Sequence, residues 1–249
     1  MGKIHLLMPM GGGGTRFGNK GFNLPKPLIM LRGKPFFYWA AECILQNMEV
    51  EDITFVVLKE HIEKFEIDKR IREYYPNASI HVIPEVLQGA VLTCLEGLNE
   101  IHDDLPLLFE DCDHAFISEE FFKYANTGSF DSPYAALLTF ESDNPAYSYV
   151  KFDSSGKVIG TIEKVVASDE AICGAYYFKS SDTFKEACEK YLKECSYSEF
   201  FVSGVYNELV KLGKVVSTFK IDEHISFGTP DEYDETLNDE RLGELIKCR

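Results

Sequence analysis

Four consecutive glycines at residues 11–14 follow a short apolar run and precede Thr15 and Arg16. Because glycine lets the backbone turn through positive φ and approach a ligand closely, successive N–H groups there can converge on phosphate oxygens. Arg16 adds a planar fork of donors that suits the same anion. Ten residues later Lys26 lies between two prolines, which hold its backbone in an extended path. The stretch at residues 8–28 therefore predicts a phosphate-binding site.

A second group of reactive side chains follows an apolar run at residues 105–109, where Glu110, Asp111, Asp113 and His114 come in close succession. At a spacing of two residues, the carboxylates of Asp111 and Asp113 can point the same way. Carboxylates at the end of a strand that faces a phosphate loop suit a hard cation such as Mg²⁺, which takes its remaining ligands from water and phosphates. The alternative is an acidic loop on an acidic protein.

The elements that would position these residues alternate between strand and helix in the first half of the chain. Apolar runs predict strands at residues 4–8, 53–58, 79–83 and 105–109, and helical spacing predicts helices at 35–46, 59–75 and 88–98. This alternation predicts a mainly parallel sheet in an α/β fold, with helices on both faces. Ligands of such sheets bind at the carboxyl ends of the strands, which is where the glycines lie.

The second half of the chain is mixed. Strands are predicted at residues 134–140, 148–152, 158–163, 171–178 and 215–221, with a hairpin turn at 154–156. Helices are predicted at 182–194, at 199–212 and after Thr229-Pro230. Because no repeat or linker interrupts the pattern, we expect residues 1–249 to form a single domain.

Composition restricts the classes of function. A formal charge of −16 argues against a nucleic-acid surface, so an anionic substrate would depend on local cations such as Arg16, Lys26 and Lys164. The seven cysteines form no Cys-x-x-Cys pair, which predicts reduced core residues. No apolar run approaches the roughly 18 residues of a membrane span, and Met1-Gly2-Lys3 leads directly into a strand rather than a signal peptide. We therefore expect a cytoplasmic protein without a membrane partner.

The opening motifs resemble a known family. The strand, the loop GGGGTRF, the segment LPKPLI and then Gly33-Lys34-Pro35 before an apolar helix are similar to the start of the nucleoside-triphosphate transferase family. Its best-known members are sugar-1-phosphate nucleotidyltransferases of the glucose-1-phosphate thymidylyltransferase superfamily. The usual loop runs A-A-G-x-G-T-R-L, so Met10-Gly11 stand in for two alanines. The resemblance covers residues 4–233 and implies a Rossmann-like, GT-A-like fold with a nucleotide-binding half, residues 1–115, and an acceptor-binding half, residues 116–249.

The resemblance also implies roles for particular residues. Arg16 would hold the leaving pyrophosphate, Lys26 and Lys164 the two reacting phosphates, and Asp113 the metal, with Asp111 where the family commonly has Asn. The nucleotide would be bound by Met10, Gly11, Gly12, Gly13, Gly14, Thr15, Gln88 and Gly89. The acceptor would be bound by Ser148, Glu163, Gly174 and Glu199. Gln88-Gly89 opens a predicted helix, whose free N–H groups and side-chain amide suit a base edge.

One departure from the family concerns the metal. Residues 224–230 resemble the family ending Asp-Ile-Gly-Thr-Pro, in which the Asp is a second metal ligand, but Ser226 occupies that position here. A serine hydroxyl is a poor ligand for Mg²⁺. Either His224, Glu223 or Asp222 substitutes, or the metal relies on Asp113 and the triphosphate.

The predicted function is a Mg²⁺-dependent nucleotidyltransferase that joins a nucleoside triphosphate to a phosphorylated acceptor and releases pyrophosphate. A sugar 1-phosphate is the first expectation, in the synthesis of a surface-glycan or capsule precursor. Three alternatives stay open: a cytidylyltransferase for phosphocholine or phosphoglutamine, a glycosyltransferase using the Asp-x-Asp of residues 111–113, and a non-catalytic nucleotide-binding protein. The sequence chooses neither the base nor the oligomeric state, and a homo-oligomer is left open.

Overall fold

The structure is a computed structural model that describes residues 3–127 and 134–246. The strands are β1 Ile4–Met10, β2 Met30–Leu31, β3 Lys34–Pro35, β4 Val50–Leu58, β5 Ser79–Ile83, β6 Leu107–Glu110, β7 His114–Ile117, β8 Ala135–Glu141, β9 Ser148–Phe152, β10 Val158–Glu163, β11 Glu170–Phe178, β12 Val216–Lys220 and β13 Glu223–Ser226. The helices are α1 Thr15–Gly18, α2 Phe36–Leu45, α3 Lys59–Phe65, α4 Ile67–Tyr74, α5 Ala90–Gly97, α6 Glu119–Thr127, α7 Ser181–Glu194, α8 Val202–Lys211, α9 Pro230–Thr236 and α10 Arg241–Leu245.

The described residues form a nine-stranded mixed sheet. Its main path runs β10-β9-β11-β6-β1-β4-β5, while β8 pairs with β11 and β12 pairs with β8. The strands of the first half, β6, β1, β4 and β5, are parallel to one another. The long strand β11 is antiparallel to β6, β8 and β9, and so joins the second half of the chain to the first. The predicted α/β fold with a mainly parallel central sheet is confirmed.

Helices cover both faces of the sheet because the side chains of the central strands alternate. Leu6 and Met8 of β1 lie in one buried cluster together with α2, α4 and α6. Leu7 points the other way, into a second cluster formed with α5, α7 and α8. Both clusters consist mainly of buried aliphatic and aromatic side chains, and this close packing on both faces fixes the positions of the strand ends.

Several boundaries differ from the sequence-based predictions. The helix predicted at residues 59–75 is two helices, because Glu66 adopts a left-handed φ of 52° that ends α3 and starts α4. The helix predicted at 199–212 begins only at Val202, which leaves Glu199 in the preceding loop. The short pair β7 and β13 and the helices α6 and α10 were not predicted. The hairpin turn at residues 154–156 is confirmed, with Asp153 accepting backbone hydrogen bonds from Ser155 and Lys157.

Two predictions from composition can be compared with the described residues. Their cysteines are free thiols, and all of them except the half-buried Cys195 are buried in the core, as predicted. Among the same residues, none of the helices combines the length and the apolar character that a membrane crossing requires.

Candidate active site

The predicted site residues converge because three strands end at the same edge of the sheet. β1 and β6 are parallel with Leu7 opposite Phe109, so the glycine loop after β1 and the acids after β6 leave the sheet side by side. The loop is anchored by Phe17 of α1, a buried ring that contacts Phe22 at 5.1 Å and Phe36 at 5.7 Å between centroids. Strand β10 brings Glu163 to this edge from the second half of the chain.

Two adjoining cavities open at this edge. The first has a volume of about 330 Å³ and the second about 550 Å³. They share four lining residues: Arg16, Asp111, Asp113 and Gly228. The first is otherwise lined mainly by the loops after β1: Pro9, Met10, Gly12, Gly14, Thr15, Phe17, Lys26, Pro27 and Cys112. The predicted acceptor residues Ser148, Glu163, Lys164, Gly174 and Glu199 line the second, together with His224 and Ser226. The two acids thus lie where two ligand-sized spaces meet.

Lys26 and Asp113 form an ion pair across this junction. Lys26 starts a short 3₁₀ helix, Lys26–Leu28, and the prolines on either side of it fix the path from which its side chain reaches Asp113. Burial, the largest single effect, would raise the pKa of Asp113, but the charge of Lys26, the proximity of His114 and the hydrogen bond from Lys26 together hold this pKa below its usual range. Burial likewise opposes the charge on Lys26, and the neighbouring acids, Asp113 first, raise its pKa. Both groups are therefore charged at neutral pH.

Asp111 differs from Asp113 in having no side-chain partner among the described residues. Burial, and then the charge of Asp113, raise the pKa of Asp111 to about 7. Its backbone N–H donates to the carbonyl of Gly174 on β11, at 3.1 Å. Gly174 has a φ of 98°, and a Cβ there would lie 2.9 Å from Asp111 Oδ2 and 2.9 Å from His114 Nε2. Only glycine leaves room for these two side chains to lie against β11.

Behind the acids lies a layer of buried ionisable groups. Glu110 is fully buried, and its Oε1 is 3.4 Å from His114 Nε2. Burial raises the pKa of Glu110 well above its usual value, and the nearby Asp111 and Asp113 add to the effect. Burial lowers the pKa of His114 to about 4, and burial followed by the proximity of His114 lowers the pKa of His224 to about 3. Both imidazoles are therefore neutral at neutral pH and add no positive charge at the junction.

The oxygen and nitrogen atoms around the junction suit Mg²⁺ better than a metal ion that takes all of its ligands from protein side chains. Within residues 3–127 and 134–246, no group of three or more His, Cys, Asp and Glu side chains could hold a metal ion. Asp111 and Asp113 nevertheless supply two carboxylates to one space, and Mg²⁺ commonly binds through one or two carboxylates plus substrate phosphates and water. His224 Nε2 is buried and without a hydrogen-bond partner in the described structure, which keeps His224 as a candidate ligand.

The second cavity has a rigid floor at the end of β10. Ser148 and Glu163 are register partners across β9 and β10, and Ser148 Oγ donates to the Glu163 carboxylate, 2.7 Å from each oxygen. Ser203 of α8 also donates to this carboxylate. The next residue, Lys164, has a left-handed φ of 55°, and its Nζ lies 5.6 Å from the ring centre of Phe201.

Sequence reasoning missed three residues of this cavity or its support: Ser203, Tyr147 and Glu232. Tyr147 donates to Glu232 Oε1 at 3.0 Å, and burial followed by the charge of Glu232 raises the pKa of Tyr147 to about 12. Glu232 also accepts from the backbone N–H of Thr229 at 2.8 Å, in a capping box that starts α9. The Thr-x-x-Glu spacing was a readable signal for this capping box. No local pattern marked Ser203 or Tyr147.

Four of the predicted nucleotide-binding residues do not line the two cavities: Gly11, Gly13, Gln88 and Gly89. The exposed Gln88 side chain donates to the carbonyl of Ser198 at 3.2 Å, so its amide is already engaged with the loop before α8. Gly89 has a φ of 111°, and a Cβ there would lie 2.4 Å from the backbone nitrogen of Phe200. Gly11 packs against Ile83 at the end of β5 and Thr93 of α5, so the helix that follows Gly89 lies against the glycine loop.

The fold places two adjoining, ligand-sized cavities at the strand ends of an α/β sheet, where the ligands of such sheets bind. The model of the nucleotidyl transferase family matches residues 6–240, and the chain belongs to this family. It is therefore an enzyme that transfers nucleotidyl groups, as predicted. Neither glycosyl transfer nor a non-catalytic role is supported by this membership. No relative among curated proteins matches the chain.

Solved structures share the fold over nearly the whole chain. A nucleoside-diphosphate-sugar pyrophosphorylase from Vibrio cholerae is 23% identical with a TM-score of 0.80, covering 94% of this chain and all of its own. An inositol-1-phosphate CTP transferase from T. maritima is 16% identical with a TM-score of 0.75, covering 99% of this chain and 98% of its own. A UDP-glucose pyrophosphorylase complexed with UDP-glucose is 17% identical with a TM-score of 0.73, covering 96% and 98%. At these identities the likeness concerns the fold.

Proposed function

We propose that this chain joins a nucleoside triphosphate to a phosphorylated acceptor, with a sugar 1-phosphate as the first candidate, and releases pyrophosphate. The observation that carries the proposal is the junction of the two cavities. One cavity is lined by the glycine loop and Arg16, the other by Glu163 and Lys164, and the pair Lys26–Asp113 lies where they meet. An α-phosphorus bound at the junction would be within reach of an acceptor phosphate in the second cavity.

The reaction needs alignment and charge neutralisation more than covalent chemistry. An oxygen of the acceptor phosphate attacks the α-phosphorus, the bond from the α-phosphorus to the bridging oxygen breaks, and pyrophosphate leaves with the electron pair. Negative charge builds on the oxygens around phosphorus during this displacement, so preorganised cations stabilise the transition state more than the ground state. Two substrates held in line convert a bimolecular step into an effectively unimolecular one.

The residues of the first cavity would take the nucleotide. Backbone N–H groups of the glycine loop, residues 10–15, would bind the triphosphate, and the Arg16 guanidinium, which makes no ion pair within the described residues, is free to bind the leaving pyrophosphate. Lys26 would neutralise the reacting phosphate beside Asp113. Gln88 and Gly89 would contact the base from the helix start beside the loop.

The residues of the second cavity would take the acceptor. Lys164 would bind the acceptor phosphate, since its cation is held over Phe201 without an anionic partner in the described part of the chain. Glu163, Ser148, Gly174 and Glu199 would surround the rest of the acceptor. This assignment divides the single domain into a nucleotide-binding half, residues 1–115, and an acceptor-binding half, residues 116–249.

Mg²⁺ is part of the proposal because the carboxylates at the junction suit it. Asp113 would be the principal ligand, with Asp111 beside it and His224 as the further candidate. The bound cation would neutralise phosphate charge and orient the triphosphate. Without a bound cation, the ammonium of Lys26 balances the negative charge of Asp113.

The acceptor has two candidates. The fold relatives are a nucleoside-diphosphate-sugar pyrophosphorylase, a UDP-glucose pyrophosphorylase and an inositol-1-phosphate CTP transferase, and their names support a sugar phosphate or a related polyol phosphate. Ser148, at a position where the resembling family more often has glycine, favours keeping phosphocholine or phosphoglutamine as the second candidate. A role in supplying a surface-glycan or capsule precursor, made in the cytoplasm, belongs to the same proposal.

The test is pyrophosphate release by the purified protein with Mg²⁺, each common nucleoside triphosphate, and a panel of glucose 1-phosphate, inositol 1-phosphate, phosphocholine and phosphoglutamine. Release that requires both a triphosphate and one acceptor, together with a nucleotide-activated product of matching mass, is expected. The control is Asp113→Asn under the same conditions. Release without any acceptor, or no release with any pair, would contradict the proposal.

A further inference from the structure

The Glu163 carboxylate accepts hydrogen bonds from the hydroxyls of two serines that lie on different elements. Ser148 donates from the neighbouring strand β9, and Ser203 donates from the first turn of α8 to Oε1. Glu163 is 8% exposed, so its buried oxygens depend on these partners, and only the side facing the second cavity is left for a ligand. A carboxylate offers about four lone-pair positions, and the two serines leave the remaining ones with fixed directions.

Ser203 is itself placed by contacts that do not involve its hydroxyl. It is 1% exposed, and its backbone carbonyl accepts from Thr161 Oγ1 of β10 at 2.8 Å. One turn further along α8, Asn207 accepts from the backbone N–H of Thr161 at 2.8 Å and donates to its Oγ1 at 3.1 Å. The Ser203 hydroxyl is therefore presented to Glu163 by a helix that is already fixed against β10.

We infer that Ser203 is a positioning residue of the acceptor subsite, which sets the orientation of the Glu163 carboxylate toward the donor groups of the acceptor. The inference rests on the proposed function, in which Glu163 faces the acceptor. The terminal torsion of a glutamate side chain has a broad energy well, so the plane of its carboxylate is set by its partners. Without Ser203, Ser148 alone would hold the carboxylate, and Oε1 would lose its buried partner.

The test is the kinetics of Ser203→Ala with whichever of glucose 1-phosphate, inositol 1-phosphate and phosphocholine supports turnover. A hydrogen bond to a charged group is the interaction lost, so the KM for the acceptor should rise about tenfold. The KM for the triphosphate should stay within about twofold, because Ser203 lies outside the first cavity. Ser203→Thr, which keeps the hydroxyl, should restore the acceptor KM. Ser203→Cys, nearly isosteric with a weaker donor, should lie between and serves if the alanine variant does not fold.

Thr161→Val is the matched control. It removes the two hydrogen bonds of the Thr161 hydroxyl to α8 but keeps the backbone N–H bond to Asn207, and it leaves the side chains of Ser148, Ser203 and Glu163 unaltered. Its melting temperature should fall while its acceptor KM stays near that of the wild type. An equal rise in acceptor KM in Thr161→Val and Ser203→Ala would mean that Ser203 acts only through helix packing, and would overturn the inference.

The remaining outcomes separate the two proposals. If the wild type releases pyrophosphate with an acceptor and Ser203→Ala keeps the same acceptor KM, the positioning role is wrong and the proposed function stands. If the wild type releases none with any triphosphate and acceptor, the proposed function fails and the positioning role fails with it.

Discussion

Replacing Lys26 with Ala tests the centre of the proposed mechanism. The ammonium of Lys26 pairs with Asp113 at the junction of the cavities, so its charge would act where negative charge builds during transfer. Removing one preorganised electrostatic group lowers kcat by roughly 10²-fold or more. The effect on triphosphate binding should be smaller, because the charge is needed most when the α-phosphorus is five-coordinate.

The same substitution has a stability effect that the structure allows us to bound. The side chains of Lys26 and Asp113 are 25% and 19% exposed, so water screens the pair in part. Exposed pairs contribute about 0–1 kcal/mol and the loss of one partner from a fully buried pair costs about 3–5 kcal/mol, so we expect a loss of about 1–3 kcal/mol. Because the charge of Lys26 is the largest of the effects that lower the pKa of Asp113, that pKa should rise in the variant, and its residual activity should need a higher pH.

The assay is pyrophosphate release at saturating substrates, across a pH series, beside urea unfolding of the same protein. Lys20→Ala is the control, since Lys20 is 63% exposed and lines neither cavity, although its Nζ lies 4.0 Å from Asp231 of the second cavity. It should change kcat by less than about twofold, as expected for a weak exposed pair. Unchanged turnover of Lys26→Ala under saturating substrates would refute the role given to Lys26.

Four further predictions concern the acids and their surroundings. Asp113→Asn should abolish activity together with its dependence on Mg²⁺, while Asp111→Asn should be milder because the resembling family tolerates an amide there; assays against Mg²⁺ concentration would contradict this if the order were reversed. In calorimetric titrations the wild type should bind Mg²⁺ weakly alone and well when a triphosphate is present, and Ser226→Asp should tighten Mg²⁺ binding. If His224 is a ligand instead, the site should prefer Mn²⁺, and His224→Ala should lose the metal. Tight Mg²⁺ binding without nucleotide that neither substitution changes would exclude both accounts. Gly174→Ala should destabilise the fold by about 1–2 kcal/mol from its left-handed φ alone and displace Asp111, so thermal unfolding and activity should both fall, and unaltered values would contradict the close packing. Burial lowers the pKa of His224 to about 3, so as the pH falls below about 6.5 this imidazole is protonated in the unfolded chain before it is protonated in the folded one. The wild type should therefore lose stability between about pH 6.5 and about pH 3. The loss in metal-free His224→Gln should be less steep, by at most about 1.4 kcal/mol per pH unit. Parallel unfolding curves for both proteins would argue against a neutral buried imidazole.

The junction of the two cavities could be predicted from the sequence, because most of the residues that form it follow the parallel strands β1 and β6. The apolar runs that become β1 and β6 are local signals, and parallel neighbours must end at one edge, so Arg16 and Asp113 could be placed near each other without a structure. The pairing of Lys26 with Asp113, 87 residues apart, needed the folded chain.

The remainder could not be predicted, because it depends on contacts with no local pattern. Ser203 reaches Glu163 across 40 residues of sequence, from a helix that looks like any other amphipathic segment. No Gly or Pro lies at Glu66 to mark the break between α3 and α4, so the helical spacing of apolar residues predicted one continuous helix there. Strands β7 and β13 are too short to show an alternating pattern, yet their pairing brings Ser226 opposite His114.

The backbone conformation of Lys164 explains how two consecutive side chains, Glu163 and Lys164, line the same cavity. In an extended strand, consecutive side chains point to opposite faces, so Glu163 and Lys164 would be separated by the sheet. Lys164 instead adopts a φ of 55°, held by its N–H bonding to the carbonyl of Tyr147 at 3.1 Å, and both side chains line the same cavity. A left-handed residue other than glycine costs about 1–2 kcal/mol, and such strain persists where the surrounding structure fixes it and function requires it. In the proposed function, this strained position is where an acidic group for the acceptor's donors and a cation for its phosphate would contact one small molecule.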